Sequence, residues 1–220
     1  MTRRIIIVDD HPLFRAALRQ TLAGSGSDIV VEEAGDLAAL SAALEADRDY
    51  DLVLLDLSMP GAHGFSGLLL LRAQYPEVPV MIISAVEDPK VIRRTFELGA
   101  AGYLPKSVGP AEIRSAIDTV LKGEIFVPDG ISLAGDDEQS AFVRRLSTLT
   151  PQQIRVLMML SDGLMNKQIA YELSISEATV KAHVSSILQK LDVDSRTQAV
   201  IAAARIEQGQ FEQLFSPDTA

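Results

Sequence analysis

Short apolar runs alternate with amphipathic stretches along the first 127 residues. Ile5 to Val8 is a continuous apolar run that stops at Asp9-Asp10. Ile29 to Val31, Leu52 to Leu55, Val80 to Ile83 and Ala101 to Leu104 repeat the pattern. Runs of this length, bounded by turn residues, predict strands buried on both faces. Apolar residues at helical spacing fill the intervals. Leu13, Phe14, Ala17, Leu18 and Leu22 follow Pro12, and Leu37, Leu40 and Leu44 lie within Asp36 to Ala46. Gly64 to Tyr75 and Lys90 to Leu98 hold the next two helical patterns, and Pro110 to Leu121 carries Ile113, Ile117 and Val120 inward. Gly24-Ser25-Gly26-Ser27, Met59-Pro60-Gly61, Gly99 and Gly123 punctuate the elements. Strand and helix in strict alternation predict an α/β fold, a doubly wound five-stranded parallel sheet.

The pattern changes at Pro128. From there to about Ser140, Pro128-Asp129-Gly130, Gly135 and Asp136-Asp137-Glu138 read as an exposed linker. A short helix near Glu138 would carry Phe142, Val143 and Leu146. The expected division is residues 1–127, a linker over 128–146, an all-α four-helix domain over 147–210 and a tail over 211–220. Thr150-Pro151 is an N-cap followed by Pro at the first helical position. Asn166 is the expected cap of a short helix ending near Leu173. Ser174-Ile175-Ser176 makes a tight turn, and a longer helix then runs through Val180, Val184, Ile187, Leu188 and Leu191. Two helices joined by so brief a turn suggest helix-turn-helix.

Composition narrows the setting. The chain has 220 residues, 47% hydrophobic, with no cysteine. Mean hydropathy is only +0.17, and no run approaches the ~18 apolar residues of a membrane span. The first residues go straight into a strand-like run, without a signal-peptide layout. A cytoplasmic protein with no membrane partner and no thiolate metal site is the expectation. Net charge is −10. From Ala141 to Gln208, eight bases stand against six acids, so the acid excess lies in the first half.

The strand ends hold the candidate chemistry. Parallel strands bring their carboxyl ends to one rim, where open α/β sheets place ligands. Asp9, Asp10, Asp56, Ser84 and Lys106 all fall there. Carboxylates so gathered repel unless a cation compensates them. Oxygen-only ligands suit Mg²⁺, Lys106 suits a phosphoryl oxygen, and Ser84 offers a hydroxyl to another. Asp56 is the candidate nucleophile, because a carboxylate can form an acyl phosphate. His11 and His63 flank the rim, and a surface or packing role is expected of both.

From about Arg3 to Gly123 this arrangement resembles the receiver domain of bacterial two-component response regulators, a flavodoxin-like fold. The resemblance implies that a sensor histidine kinase phosphorylates Asp56, with Mg²⁺ held by Asp9, Asp10, Asp56 and the carbonyl of Ser58. Ser84 and Tyr103 would be a switch pair, the hydroxyl turning to the phosphoryl group and the ring following inward. One departure stands out: Ser107 follows Lys106 where many receivers have a cis proline.

The second half is similar to the LuxR-type DNA-binding domain. The matching stretches are Leu149-Thr150-Pro151, Gly163 to Ala170, Ile175 to Val184, Leu188 to Leu191 and Ser195 to Val200. The whole chain thus resembles a NarL/FixJ-type regulator. The match implies a recognition helix over Glu177 to Leu191 in the major groove of promoter DNA, opening with Glu177, Ala178 and Thr179. Lys181, Ala182 and Ser185 would face bases, while Lys167, His183, Lys190 and Arg196 would meet phosphates. It also implies homodimers on activation and RNA polymerase as a partner. Thr197 to Ile206 would bury a face against a second copy or within the domain.

Two other readings compete. Haloacid-dehalogenase-type phosphatases also use an Asp nucleophile with Mg²⁺. They need it after the first strand and a second Asp two residues on. Asp56 follows the third strand, and Ser58 holds that second position, so no catalytic residue is assigned. A regulator that has abandoned phosphorylation would not keep all five rim residues.

Overall fold

A computed structural model describes residues 2–23, 28–59, 64–133 and 138–207. The Gly24 to Ser27 stop, Pro60, Gly61, His63, residues 134–137 of the linker and the tail over 211–220 lie outside them. The chain divides into two compact units, Met1–Gly135 and Asp136–Ala220.

The first unit is built on β1 (Arg3–Val8), β2 (Ile29–Ala34), β3 (Leu52–Leu55), β4 (Val80–Ser84) and β5 (Gly102–Pro105). They form one parallel sheet in the order β2-β1-β3-β4-β5. Between them run α1 (Pro12–Ala23), α2 (Leu37–Ala46), α3 (Ser66–Gln74) and α4 (Pro89–Glu97), and α5 (Pro110–Leu121) follows β5. Strand alternation divides the core. Ile5, Ile7, Leu52, Leu54, Met81 and Leu104 pack with Leu18 and Leu22 of α1 and Ile117 and Val120 of α5. Ile6, Val8, Val53, Leu55 and Ile82, also buried, point to the other face. Pro12 and Pro110 open their helices where no N–H is needed, and the Asp36 side chain caps α2 by accepting from Ala39 N at 2.7 Å.

Past α5 the chain returns to the sheet. Phe126 N donates to Ala101 O at 3.1 Å, and Tyr103 N donates to Phe126 O at 3.2 Å. This parallel bridge pairs Phe126 with Gly102 on the free side of β5. A Cβ on Gly102 would stand 2.5 Å from Met81 Cε and 3.2 Å from Val120 Cγ2, so the Met81 side chain fills the space a side chain would need there.

The second unit holds α6 (Glu138–Leu146), α7 (Pro151–Ser161), α8 (Asn166–Glu172), α9 (Glu177–Leu191) and α10 (Arg196–Glu207). The last part of the segment read as linker is thus helix α6, and its Phe142, Val143 and Leu146 are buried. α7 opens with a capping box: Gln153 N donates to Thr150 Oγ1 at 3.3 Å and Thr150 N to Gln153 Oε1 at 3.0 Å. Asn166 does not cap α8. Met165 precedes the helix, and its N–H donates to Gln168 Oε1 at 2.8 Å. Ala199 is fully buried, so α10 packs at least that residue within its own unit. Among the described residues no helix is long and apolar enough to cross a membrane.

The amino ends of the strands are pinned by charge. Arg4 pairs with Glu32 at 2.7 Å and with Asp47, and lies 4.6 Å from the Tyr50 ring centre. Tyr50 donates its hydroxyl to Glu32 Oε2 at 2.6 Å. That hydrogen bond, and then the one from Arg4, hold the Glu32 carboxyl below its usual range. Its contribution to stability is therefore complete above the unfolded value of 4.5 and is lost as pH falls through the folded value. Tyr50→Phe should bring the Glu32 pKa back toward 4.5 and start acid unfolding at higher pH, with a loss of about 1 kcal/mol or less at neutrality. Carboxyl-carbon NMR titration and a pH melt followed by circular dichroism measure both.

Candidate functional site

Backbone pairing assembles the rim. Asp56 N donates to Val8 O at 2.9 Å, and Lys106 N donates to Ser84 O at 2.8 Å. These bonds extend the ladder one residue past β3 and β5, so each functional side chain leaves the sheet at its carboxyl edge. Asp9 and Asp56 are only 2% and 1% exposed. Two carboxylates so buried require a positive partner. Lys106 Nζ supplies it, 2.7 Å from Asp9 Oδ2 and 2.9 Å from Asp56 Oδ2. Burial pulls the ammonium down, but the two carboxylates outweigh it and hold Lys106 above its ordinary value. The Phe14 ring, with its centre 4.7 Å from Nζ, adds a cation–π contact. The Lys106–Ser107 peptide is trans.

The remaining oxygens are unequally satisfied. Asp9 Oδ1 accepts from His11 N at 2.7 Å, and Asp56 Oδ1 accepts from Ser58 N at 3.1 Å. Asp10 Oδ1 is buried and accepts no hydrogen bond. Ligand atoms of Asp9, Asp10, His11 and Asp56 lie within 4.8 Å of one another. Carboxylate oxygens gathered this closely fit a divalent cation. Ser58 sits exposed beside Asp56. Position in the chain alone had left His11 and Phe14 out. Their adjacency to Asp10 and the helical reach of one turn from the rim were the available signals.

Ser84 is fully buried, and its Oγ accepts from Val86 N at 3.2 Å. The Tyr103 ring is fully buried too, and its hydroxyl donates to Val86 O at 2.5 Å. The ring therefore already lies inward, with Val86 holding both hydroxyl-bearing side chains. Burial pushes the Tyr103 phenol up to about 12.

In the second unit, Ser176 caps α9 by accepting from Thr179 N at 3.0 Å. Glu177, Ala178, Thr179, Lys181, Ala182 and Ser185 are exposed along it, and Lys167 is exposed at the start of α8. His183 is half-buried. Glu177 and Lys181 pair at 3.0 Å, one turn apart. Lys190 and Arg196 face inward instead. Lys190 Nζ donates to Thr148 O at 2.8 Å and Gln153 Oε1 at 2.9 Å. Arg196 donates to Asn166 Oδ1 at 3.0 Å and Leu164 O at 2.5 Å. Gln153 is the junction the sequence reading missed: its amide also donates to Ser186 Oγ of α9 at 2.9 Å. The Thr-x-x-Gln spacing of a capping box was the signal for it.

A family model described as response regulator receiver domain matches residues 5–118, about half of the chain, and one described as bacterial regulatory proteins, luxR family, matches residues 147–203. The chain belongs to the response regulators. It is 41% identical over 213 residues to the glycerol metabolism activator of Pseudomonas putida, covering 93% of this chain and 96% of that one. To the nitrate/nitrite response regulator protein NarP of Escherichia coli it is 38% identical over 201 residues, with 90% and 93% covered. Among solved structures, a LuxR family DNA-binding response regulator from Silicibacter pomeroyi aligns with TM-score 0.52 at 38% identity, over 58% of this chain and 98% of that one. The response regulator RcsB in a complex with DNA shares the fold, with TM-score 0.57 at 24% identity over 96% of this chain and 100% of that one. This response regulator is a DNA-binding transcription regulator of a two-component system.

Two outcomes are expected. Lys106→Met leaves Asp9 and Asp56 without their cation and should cost the receiver about 2 kcal/mol or more in chelator, partly recovered by a saturating divalent cation. Urea melts with and without the ion measure it. Arg196→Ala removes two buried-side hydrogen bonds and should destabilise the second unit by about 1–3 kcal/mol, seen as a lower melting temperature before any DNA is added.

Proposed function

We propose that phosphorylation of Asp56 switches this regulator, with Mg²⁺ held at Asp9, Asp10, Asp56 and the Ser58 carbonyl, and that the switch alters dimerisation and promoter binding. The observation that carries this reading is Lys106 Nζ on Asp56 Oδ2 beside the gathered oxygens of Asp9 and Asp10. A sensor histidine kinase is the donor. A carboxylate oxygen of Asp56 attacks its phosphorus, the P–N bond to the donor imidazole breaks as the P–O bond forms, and the departing imidazole takes up a proton. Lys106 turns from the Asp56 oxygen to a phosphoryl oxygen, and Ser84 donates its hydroxyl to another. Mg²⁺, when bound, neutralises the crowded oxygens. Tyr103, already inward, shares the Val86 backbone with Ser84, so the turn of the Ser84 hydroxyl to the phosphoryl group alters the seat of the ring.

No outside substrate is turned over in this reading, so the receiver is a switch and not an enzyme. On the DNA, Lys181, Ala182 and Ser185 meet base edges from α9, opened by Glu177, Ala178 and Thr179. Lys167 and His183 meet phosphates. Lys190 and Arg196 were assigned to phosphates by position, but their internal bonds favour a bracing role. Two copies on one duplex call for a near-palindrome with half-sites ~10 bp apart or a multiple. The protein acts in the cytoplasm, with RNA polymerase as the further partner at the promoter. Residues 1–127 are proposed as the phosphoacceptor module and 147–210 as the DNA-binding one.

Incubation of the full chain with a small acyl phosphate donor and Mg²⁺ tests the reading. Intact-mass spectrometry should find one added phosphoryl group in the wild type and none in Asp56→Asn. The labelled protein should shift its oligomeric state or its affinity for DNA selected from genomic fragments. Label at another residue, or a labelled protein unchanged in both respects, overturns it.

A further inference from the structure

His11 is only partly the surface residue its position suggested. Its ring is 64% exposed, yet its backbone N–H donates to Asp9 Oδ1 at 2.7 Å and fixes the start of α1 against the rim. That anchor brings Nδ1 to 2.8 Å from Asp10 Oδ1, at ion-pair distance, and to 3.2 Å from Asp9 Oδ1, with which it shares a hydrogen bond in the metal-free chain. Lys106 holds the other side of the group, on Asp9 Oδ2 and Asp56 Oδ2. The oxygens facing His11 are therefore the ones Lys106 leaves uncompensated.

The spacing is that of ligands sharing one ion. A cation with bonds of about 2.1 Å carries neighbouring ligand atoms roughly 3 Å apart and opposite ones roughly 4 Å apart. The His11–Asp10 and His11–Asp9 distances match neighbouring ligands, and the 4.8 Å limit on the four-residue group admits the opposite ones. We propose that His11 Nδ1 is a further protein ligand of this centre, which therefore takes a dication of the Co²⁺, Ni²⁺ or Zn²⁺ class more tightly than Mg²⁺. Carboxylates alone favour hard ions, whereas an imidazole in the sphere favours the later first-row metals. A histidine that merely leaned on the two acids would add nothing to the preference that carboxylates already have, so the part of it that depends on His11 is the signature. The inference rests on the cation centre described under Proposed function and adds a ligand and a selectivity to it.

Metal-free, tag-free full chain titrated separately with Co²⁺ and Mg²⁺ by calorimetry tests this, with the Co²⁺ ligand-field absorption as a second readout. Removing a ligand costs at least what removing a ligand's orienting partner does, about tenfold. His11→Ala should weaken Co²⁺ binding by about that factor or more and change the Co²⁺ spectrum, while Mg²⁺ affinity moves by less than about threefold. His11→Gln keeps the size and substitutes a hard oxygen, so it should lose Co²⁺ affinity and retain Mg²⁺. The chain has three histidines, so a His63→Ala, His183→Ala variant should leave the Co²⁺ site intact. Unchanged Co²⁺ binding in His11→Ala overturns the proposal. So does a parallel fall for both ions in His11→Ala and His11→Gln, which would mean that His11 only arranges the acids. If Asp10→Asn leaves both ions bound as before, the cation centre itself is wrong and His11 falls with it. If Asp10→Asn abolishes both while His11→Ala affects neither, the centre stands and only the histidine ligand is lost.

Discussion

Asp9 and Asp56 cannot share a water-excluded rim without a positive charge between them, and Lys106 provides it from the end of β5, three places across the sheet from β1. The ion pairs join β1, β3 and β5 at one edge. Their geometry depends on the register that sets Val8 beside Leu55 and Ser84 beside Pro105. A slip of one residue would turn each acid toward a helix-covered face. The metal-free receiver thus holds its own counter-cation, and an incoming ion or phosphoryl group competes with Lys106 rather than entering a bare anionic pocket.

Much of the fold was legible because strand and helix periods were clean. Leu52 to Leu55 and Pro110 to Leu121 carry the same limits in sequence and structure. The differences lie where side-chain pattern is silent. β2 runs on through Glu32 and Glu33 to Ala34: an edge strand tolerates acids that pair with Arg4 and Arg15. Helix α6 follows an acidic stretch inside the segment read as linker, and Phe142, Val143 and Leu146 were the signal that placed it near Glu138, as expected. At the site, residue type and strand end were enough to gather Asp9, Asp10, Asp56, Ser84 and Lys106. The inward Tyr103 ring was not readable, because it depends on the Val86 carbonyl, a backbone partner with no side-chain signature.

The DNA-binding unit shows the limit of assigning contacts by position. A basic residue near a recognition helix reads as a phosphate contact, but Lys190 and Arg196 find partners inside the unit. Gln153 joins the first turn of α7 to Ser186 and Lys190 of α9. The angle between those helices is thus set by a buried amide as well as by Ile154, Leu157 and Ile187. Lys181, by contrast, stays exposed on α9 and pairs with Glu177 one turn back in its own helix.

The return of the chain at Phe126 has a mechanical meaning. A segment leaving an α/β domain from the end of its last helix would ordinarily hang from that helix alone. Here it is first stitched to β5, with Phe126 O taken by the backbone N–H of Tyr103 itself. Met81 packs into the space that the absent side chain of Gly102 leaves. Strand and exit thus share backbone hydrogen bonds, and a displacement of β5 at Tyr103 must stretch or carry the bond to Phe126 before it reaches the chain beyond.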